Sequence, residues 1–192
     1  MQSFLFYFPF GWEHILSRDA LDHQLFIAVL AAIYLWQDWK KVLVLVTAFT
    51  IGHSLTLTLS VLDILRMDSH WVEFLIPVTI VITSLSNIFW KDMNPSSVRL
   101  NYILALCFGF IHGMGFANNI RFMLSQEQQL GWSLLGFNLG LEAGQLIVVA
   151  LILWISQLIV KQMKVERRHW ILFLSTSVLI FSLLMCIERI PF

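Results

Sequence analysis

Long apolar stretches separated by short polar loops dominate this chain. Six of them are long enough, or nearly so, to cross a bilayer, whose hydrocarbon core takes about 20 helical residues. Their approximate limits are 21–37, 42–65, 71–90, 100–123, 131–160 and 170–188. Because backbone groups in lipid must bond within their own segment, each stretch is predicted to be a helix. The expected fold is an all-α membrane protein, a bundle of about six transmembrane helices that forms one domain over residues 1–192.

The residues before the first stretch differ from the rest. They are apolar, but Pro9 and Gly11 interrupt them, and they lack the basic start and the small-residue cleavage site of a signal peptide. They are also short for a full crossing. We expect a short interfacial or re-entrant segment at the N-terminus of the mature protein.

Composition and charge support the bilayer as solvent. Of the 192 residues, 58% are hydrophobic and only 12% are charged, whereas soluble domains carry roughly 25% charged residues. Lys plus Arg and Asp plus Glu are equal at 12 each, so the chain lacks the excess of positive charge that binding to nucleic acid requires. Lysine and arginine are densest between residues 161 and 168, so that loop is predicted to be cytoplasmic. Six crossings then place both termini outside.

Ionisable side chains near or within the spans are the candidates for chemistry, because a charge at the centre of a membrane helix costs about 2.5–3.5 kcal/mol. Neutral imidazole and carboxylate are ligands for zinc, nickel and cobalt. Their occurrence on several helices predicts that they converge on a metal ion. The predicted ligands are His14, Asp22, His23, His53, His112 and Glu142.

Further polar residues follow the predicted ligands at helical spacing. Asn138, Glu142 and Gln145 fall at i, i+4 and i+7, which places them on one face of the fifth span. An amide also lies seven residues after His112, and a glutamate opens the third span. We interpret these side chains as additional ligands or as partners that orient the ligands. They are Glu73, Asn119, Asn138 and Gln145.

Five motifs resemble, in the same order, the HupE/UreJ family of small bacterial membrane proteins. They are GWEHILSRDALDHQLF, TAFTIGHSLTL, VEFLIP, FGFIHGMGFANNI and GFNLGLEAGQL, between about residues 11 and 148. Members are found with hydrogenase and urease operons, and the family is taken to supply nickel or sometimes cobalt. The resemblance implies a bacterial inner-membrane protein. It also places the family's acidic-histidine motif on His14, Asp22 and His23.

Two functions from different classes fit these residues. A divalent metal-ion permease of the nickel or cobalt type needs ligands that bind the ion and then release it. A zinc-dependent intramembrane enzyme, hydrolase-like and acting on a lipid or lipid-linked substrate, would use the same ligands to activate a water molecule. In that alternative Glu142, Glu73 and Ser54 are the candidate catalytic groups.

The sequence leaves open whether the protein is an enzyme. The expected partners are the lipid bilayer and a nickel, cobalt or zinc ion, whereas nucleic acid is not expected. Assembly into a homo-oligomer is also left open.

Overall fold

The computed structural model of the protein describes residues 1–89, 98–125 and 129–191. Within these residues the chain forms seven α-helices and no strand, which confirms the all-α prediction. The helices are α1 (Gln2–Leu16), α2 (Leu21–Ala31), α3 (Trp39–Val61), α4 (Ser69–Phe89), α5 (Val98–Ser125), α6 (Leu130–Gln157) and α7 (Arg167–Glu188).

Five segments of the described chain are long and apolar enough to cross a membrane. They are Trp36–Val61, Ser69–Phe89, Leu100–Ala117, Leu130–Gln162 and Arg167–Glu188. They correspond to the last five predicted spans. Large apolar side chains such as Phe173 and Phe181 on α7 are exposed, as a surface in contact with lipid requires. The chain is therefore a multi-pass membrane protein.

The first predicted span, 21–37, is replaced by a shorter element. α2 has only 11 residues, and α1, with 15 residues, precedes it. Ser17 between them is extended, with φ −67° and ψ 160°, and a single 3-10 turn follows at Arg18–Ala20. The helical hydrogen bonds of α1 therefore end at this break, and His14 and His23 lie on either side of it.

Gln24 satisfies the backbone groups that the break exposes. Its side-chain amide donates hydrogen bonds to the carbonyl oxygens of Ile15 and Ser17, at 3.1 and 3.0 Å. Carbonyl groups at a helix end have no partner within the helix, and in an apolar interior they need one. Gln24 thus ties the start of α2 to the end of α1.

Glycine residues allow α1 to lie directly against α6. A Cβ atom on Gly136 would overlap the carbonyl oxygen of Phe4, and one on Gly140 would overlap the carbonyl oxygen of Phe8. From the other side, a Cβ on Gly11 would meet the backbone of α6. Small residues at this spacing permit such close approach of membrane helices. The N-terminal segment is therefore a helix packed along α6.

Gly140→Ala is expected to lower the midpoint of thermal unfolding in detergent, whereas Gly131→Ala is not. The added methyl at Gly140 must push α1 away from α6, and overpacking of this kind costs about 1–3 kcal/mol. Gly131 lies on the same helix with nothing within 4 Å of its added Cβ, so alanine there gains helix propensity only. Equal midpoints for the two variants would contradict this account of the packing.

Candidate metal centre

Four histidine rings from four helices meet in the interior of the bundle: His14 on α1, His23 on α2, His53 on α3 and His112 on α5. The ring centroids of His23 and His112 are 4.0 Å apart, those of His14 and His23 are 4.7 Å apart, and those of His14 and His53 are 6.4 Å apart. Together with Asp22, these residues are referred to below as the histidine cluster.

Three members of the histidine cluster are close enough to bind one ion. Ligand atoms of Asp22, His23 and His112 all lie within 4.8 Å of one another. Nδ1 of His112 is 2.8 Å from Nε2 of His23, and Oδ1 of Asp22 is 3.3 Å from Nδ1 of His23. Metal–ligand bonds to imidazole and carboxylate are about 2.0–2.2 Å long, so one ligand atom from each of the three residues is near enough to the other two to reach a common ion.

Each histidine of the cluster keeps one buried ring nitrogen without a hydrogen-bond partner among the described residues. These atoms are Nε2 of His14, Nδ1 of His23, Nε2 of His53 and Nε2 of His112. For His23 this nitrogen faces Asp22 in the geometry of an ion pair rather than of a hydrogen bond. Buried polar atoms are almost always paired in folded proteins. Three unpaired nitrogens, beside a fourth that faces a carboxyl group, fit a group that binds a cation.

Aromatic rings enclose the histidine cluster. The Phe108 ring stacks on His112 at a centroid distance of 4.2 Å, and the Phe116 ring lies 4.0 Å from His14. These apolar rings lower the local dielectric constant beside the cluster, so the attraction between a cation and Asp22 is stronger there than in water.

A cavity of about 300 Å³ connects the histidine cluster with the surface. His14, Asp22, His23 and His112 line it, and so does Glu73, which is exposed near the start of α4. The cavity therefore opens at the end of the bundle where α4 begins and α7 ends.

Asp22 is held as a carboxylate inside this cavity. Burial would raise the pKa of the Asp22 carboxyl, but the contact with His23 and the positive charge of Arg189 hold that pKa well below its usual range. Nη1 of Arg189 is 3.4 Å from Oδ2 of Asp22. The carboxylate is consequently available as a ligand without loss of a proton.

The predicted partner residues occupy different places. Oδ1 of Asn138 is 3.3 Å from Nδ1 of His53, and the Asn138 amide donates to the carbonyl oxygen of Leu134 at 2.8 Å. Asn138 is therefore placed to orient the His53 ring. Glu73 lines the cavity. The side chain of Asn119 lies outside the described residues.

Glu142, Gln145 and Ser54 contact polar groups of α3. Glu142 Oε1 accepts a hydrogen bond from Thr47 at 2.8 Å, and Gln145 Oε1 accepts one from Thr50 at 3.2 Å. Ser54 donates to the carbonyl oxygen of Thr50 at 2.6 Å. Among the described residues, the donors within reach of one ion are those of Asp22, His23 and His112, and Glu142 is not among them.

Two residues of this region were not predicted to belong to the site. Arg189 follows the last span, where an arginine usually indicates only the orientation of the chain in the membrane. Gln24 follows His23, and a polar side chain at the start of a span is the one signal that could have suggested a capping role.

The fold and the histidine cluster define a multi-pass membrane protein with a candidate metal-binding group in its interior. Residues 1–189 match the family described as HupE / UreJ protein, and the chain belongs to that family. The resemblance seen in the sequence is confirmed, and the match extends beyond the motifs at both ends. No match was found among curated proteins or among solved structures.

Gln24→Leu is expected to destabilise the protein in detergent and to weaken metal binding. It removes the side-chain donor from the carbonyl oxygen of Ile15, which costs about 1–3 kcal/mol for the unsatisfied group, whereas the carbonyl oxygen of Ser17 still accepts from the Ala20 amide. His14 and His23 flank this break, so its distortion is expected to displace both rings. Gln157→Leu on α6 is the matched control, because the buried Oε1 of Gln157 has no partner among the described residues. The prediction fails if both leucine variants unfold at the same temperature and bind metal alike.

Proposed function

We propose that the protein is a divalent metal-ion permease of the nickel or cobalt type in the bacterial inner membrane. The observation that carries this proposal is the set of three unpaired histidine nitrogens next to the contact between His23 and the Asp22 carboxyl group, at the inner end of an open cavity. Imidazole suits nickel, cobalt and zinc, whereas magnesium and calcium prefer oxygen ligands. Membership in the HupE / UreJ family supports a metal ion as the cargo.

In this mechanism the ion enters through the cavity and first meets Asp22 and Glu73. It then binds to Asp22, His23 and His112, with His14 and His53 close enough to exchange with them. If the basic loop between α6 and α7 is cytoplasmic, as its lysines and arginines predict, α7 ends outside. The cavity then faces the outside and transport runs inward. Protons compete with the ion for the same ring nitrogens, so acidification favours release.

An intramembrane zinc enzyme is the second candidate, and the position of Glu73 favours it. Three protein ligands leave a fourth position of zinc for a water molecule. Glu73 lines the same cavity without belonging to the group of donors within reach of one ion, as a general base would. Ser54 and Glu142 make their hydrogen bonds with α3, so Glu73 is the better candidate for the base.

Uptake of metal into proteoliposomes separates the two candidates. Liposomes that enclose a metal-sensitive dye are reconstituted with wild type, His23→Ala or His70→Ala, and nickel, cobalt or zinc is added outside. His70 is the matched control, because its side chain is 81% exposed and pairs with Asp68. Uptake is expected with wild type and His70→Ala and is expected to be lost with His23→Ala. Wild-type protein that binds the metal but shows no uptake would contradict a permease and favour the enzyme.

A further inference from the structure

A second polar group lies between α3 and α6, apart from the histidine cluster. It consists of Thr47 and Thr50 on α3 and of Glu142 and Gln145 on α6, and it is referred to below as the threonine–glutamate group. Thr47 donates to Glu142 at 2.8 Å, and Thr50 donates to Gln145 at 3.2 Å. Thr50 is 7% exposed and Gln145 only 1%. The group is thus largely buried within two segments long enough to cross a membrane.

Helical spacing connects the threonine–glutamate group with the histidine cluster. Asn138, which contacts His53, lies four residues before Glu142, and four residues are about one turn of α6. Thr50 lies three residues before His53, so it follows the same face of α3 at the next turn. At about 1.5 Å per residue, the two threonines lie roughly 4.5–9 Å from His53 along the helix axis.

The threonine–glutamate group lies on the side of His53 that points away from the cavity. The cavity opens where α4 begins and α7 ends, and the short loop before α4 places the end of α3 at the same side of the bundle. The threonines precede His53 and so lie toward the start of α3. An ion that leaves the histidine cluster on the side opposite to the cavity would meet this group next.

The charge of Glu142 is not needed for packing. A glutamine at this position could accept the same hydrogen bond from Thr47 without the roughly 2.5–3.5 kcal/mol that a charged side chain costs within a membrane helix. Ionisable residues that persist at this cost mark ion pathways. The donors of the group are all oxygen atoms, from a carboxylate, an amide and two hydroxyls. Such ligands bind nickel, cobalt or zinc less tightly than imidazole does.

We propose that the threonine–glutamate group is a second, weaker cation site, which takes the divalent ion from the histidine cluster and releases it at the side opposite to the cavity. This inference rests on the proposed permease function. Imidazole ligands near the cavity followed by oxygen ligands further on make the affinity fall along the path. An ion that is captured tightly can therefore still leave, as conduction through several sites requires.

Glu142→Gln tests this proposal, because it removes the charge and keeps the oxygen that accepts from Thr47. The affinity of the purified variant for nickel is expected to stay within about twofold of wild type, as for residues that do not contact the bound ion. Uptake into proteoliposomes is expected to fall to the level of liposomes without protein. Retained nickel binding shows that the variant is folded. Glu166→Gln, at a glutamate 68% exposed beside His169, is the matched control and should keep both properties.

A second pair of variants tests the hydroxyl groups. Thr47→Val is expected to slow nickel uptake without a change in affinity, and Thr47→Ser is expected to restore the rate, because serine keeps the hydroxyl that donates to Glu142. Loss of nickel affinity in Glu142→Gln would place Glu142 in the histidine cluster and overturn the proposal. Wild-type uptake by Glu142→Gln would overturn it as well. Absence of uptake by wild type in the same series would instead refute the permease function on which the proposal rests.

Discussion

His112→Ala is expected to abolish the retention of nickel, cobalt or zinc by the purified protein. The variant loses a ligand atom that lies 2.8 Å from Nε2 of His23, and it leaves a cavity in place of the ring. Replacement of a residue that only orients a ligand lowers metal affinity by about 10–100-fold, so loss of the ligand itself is expected to exceed about 100-fold. Equilibrium dialysis followed by mass spectrometry of the bound metal measures the change.

His169→Ala is the control for this experiment. His169 is 70% exposed and pairs with Glu166, so its removal should leave the bound metal unchanged. His23→Ala should behave like His112→Ala, because the two rings are in direct contact. If His112→Ala retained metal as wild type does, the histidine cluster would not be the binding site.

The second large effect is expected for Asp22→Asn. This variant removes the negative charge that faces both the ion and Arg189, so the guanidinium remains near the ion without its partner at 3.4 Å. The affinity is expected to fall by about 100-fold or more, because loss of a ligand is combined with uncompensated repulsion. Titration calorimetry with nickel at neutral pH provides the measurement.

Arg189→Gln distinguishes repulsion from loss of the ligand. On its own it is expected to raise nickel affinity by on the order of tenfold, since a positive charge next to the site is removed. Combined with Asp22→Asn, it should restore part of the lost affinity. A lower affinity of Arg189→Gln than of wild type would show that Arg189 holds Asp22 in position rather than competing with the ion.

The sequence predicts the long crossing helices closely, because apolar length alone determines them. The third predicted span, 71–90, is the helix Ser69–Phe89, and the sixth, 170–188, is Arg167–Glu188. The first predicted span, 21–37, was wrong in its length, because the helix there has only 11 residues and follows a break. That break depends on contacts between residues far apart in the sequence. The close packing of α1 on α6 and the hydrogen bonds of Gln24 stabilise that break, and neither follows from the hydrophobic pattern.

The candidate site could also be predicted only in part. Exposure of an ionisable side chain to lipid costs free energy, so such residues are expected to face one another inside the bundle. This argument alone predicts that His23, His53 and His112 meet. Helical spacing assigns a residue to a face of its helix, but it does not fix which side chain of the neighbouring helix it meets. For this reason the sequence could not place Glu142 beside Thr47. The contact of Arg189 with Asp22 joins residues 167 positions apart and left no local signal.

X-ray absorption spectroscopy of the nickel-loaded protein tests the central claim most directly. The claim is that a divalent transition-metal ion binds at the histidine cluster. The spectrum should show nitrogen and oxygen ligands with the multiple scattering of at least two imidazole rings (His23 and His112), and this signal should disappear in His112→Ala. A nickel ion surrounded by oxygen ligands alone, or no retained nickel after loading, would contradict the account.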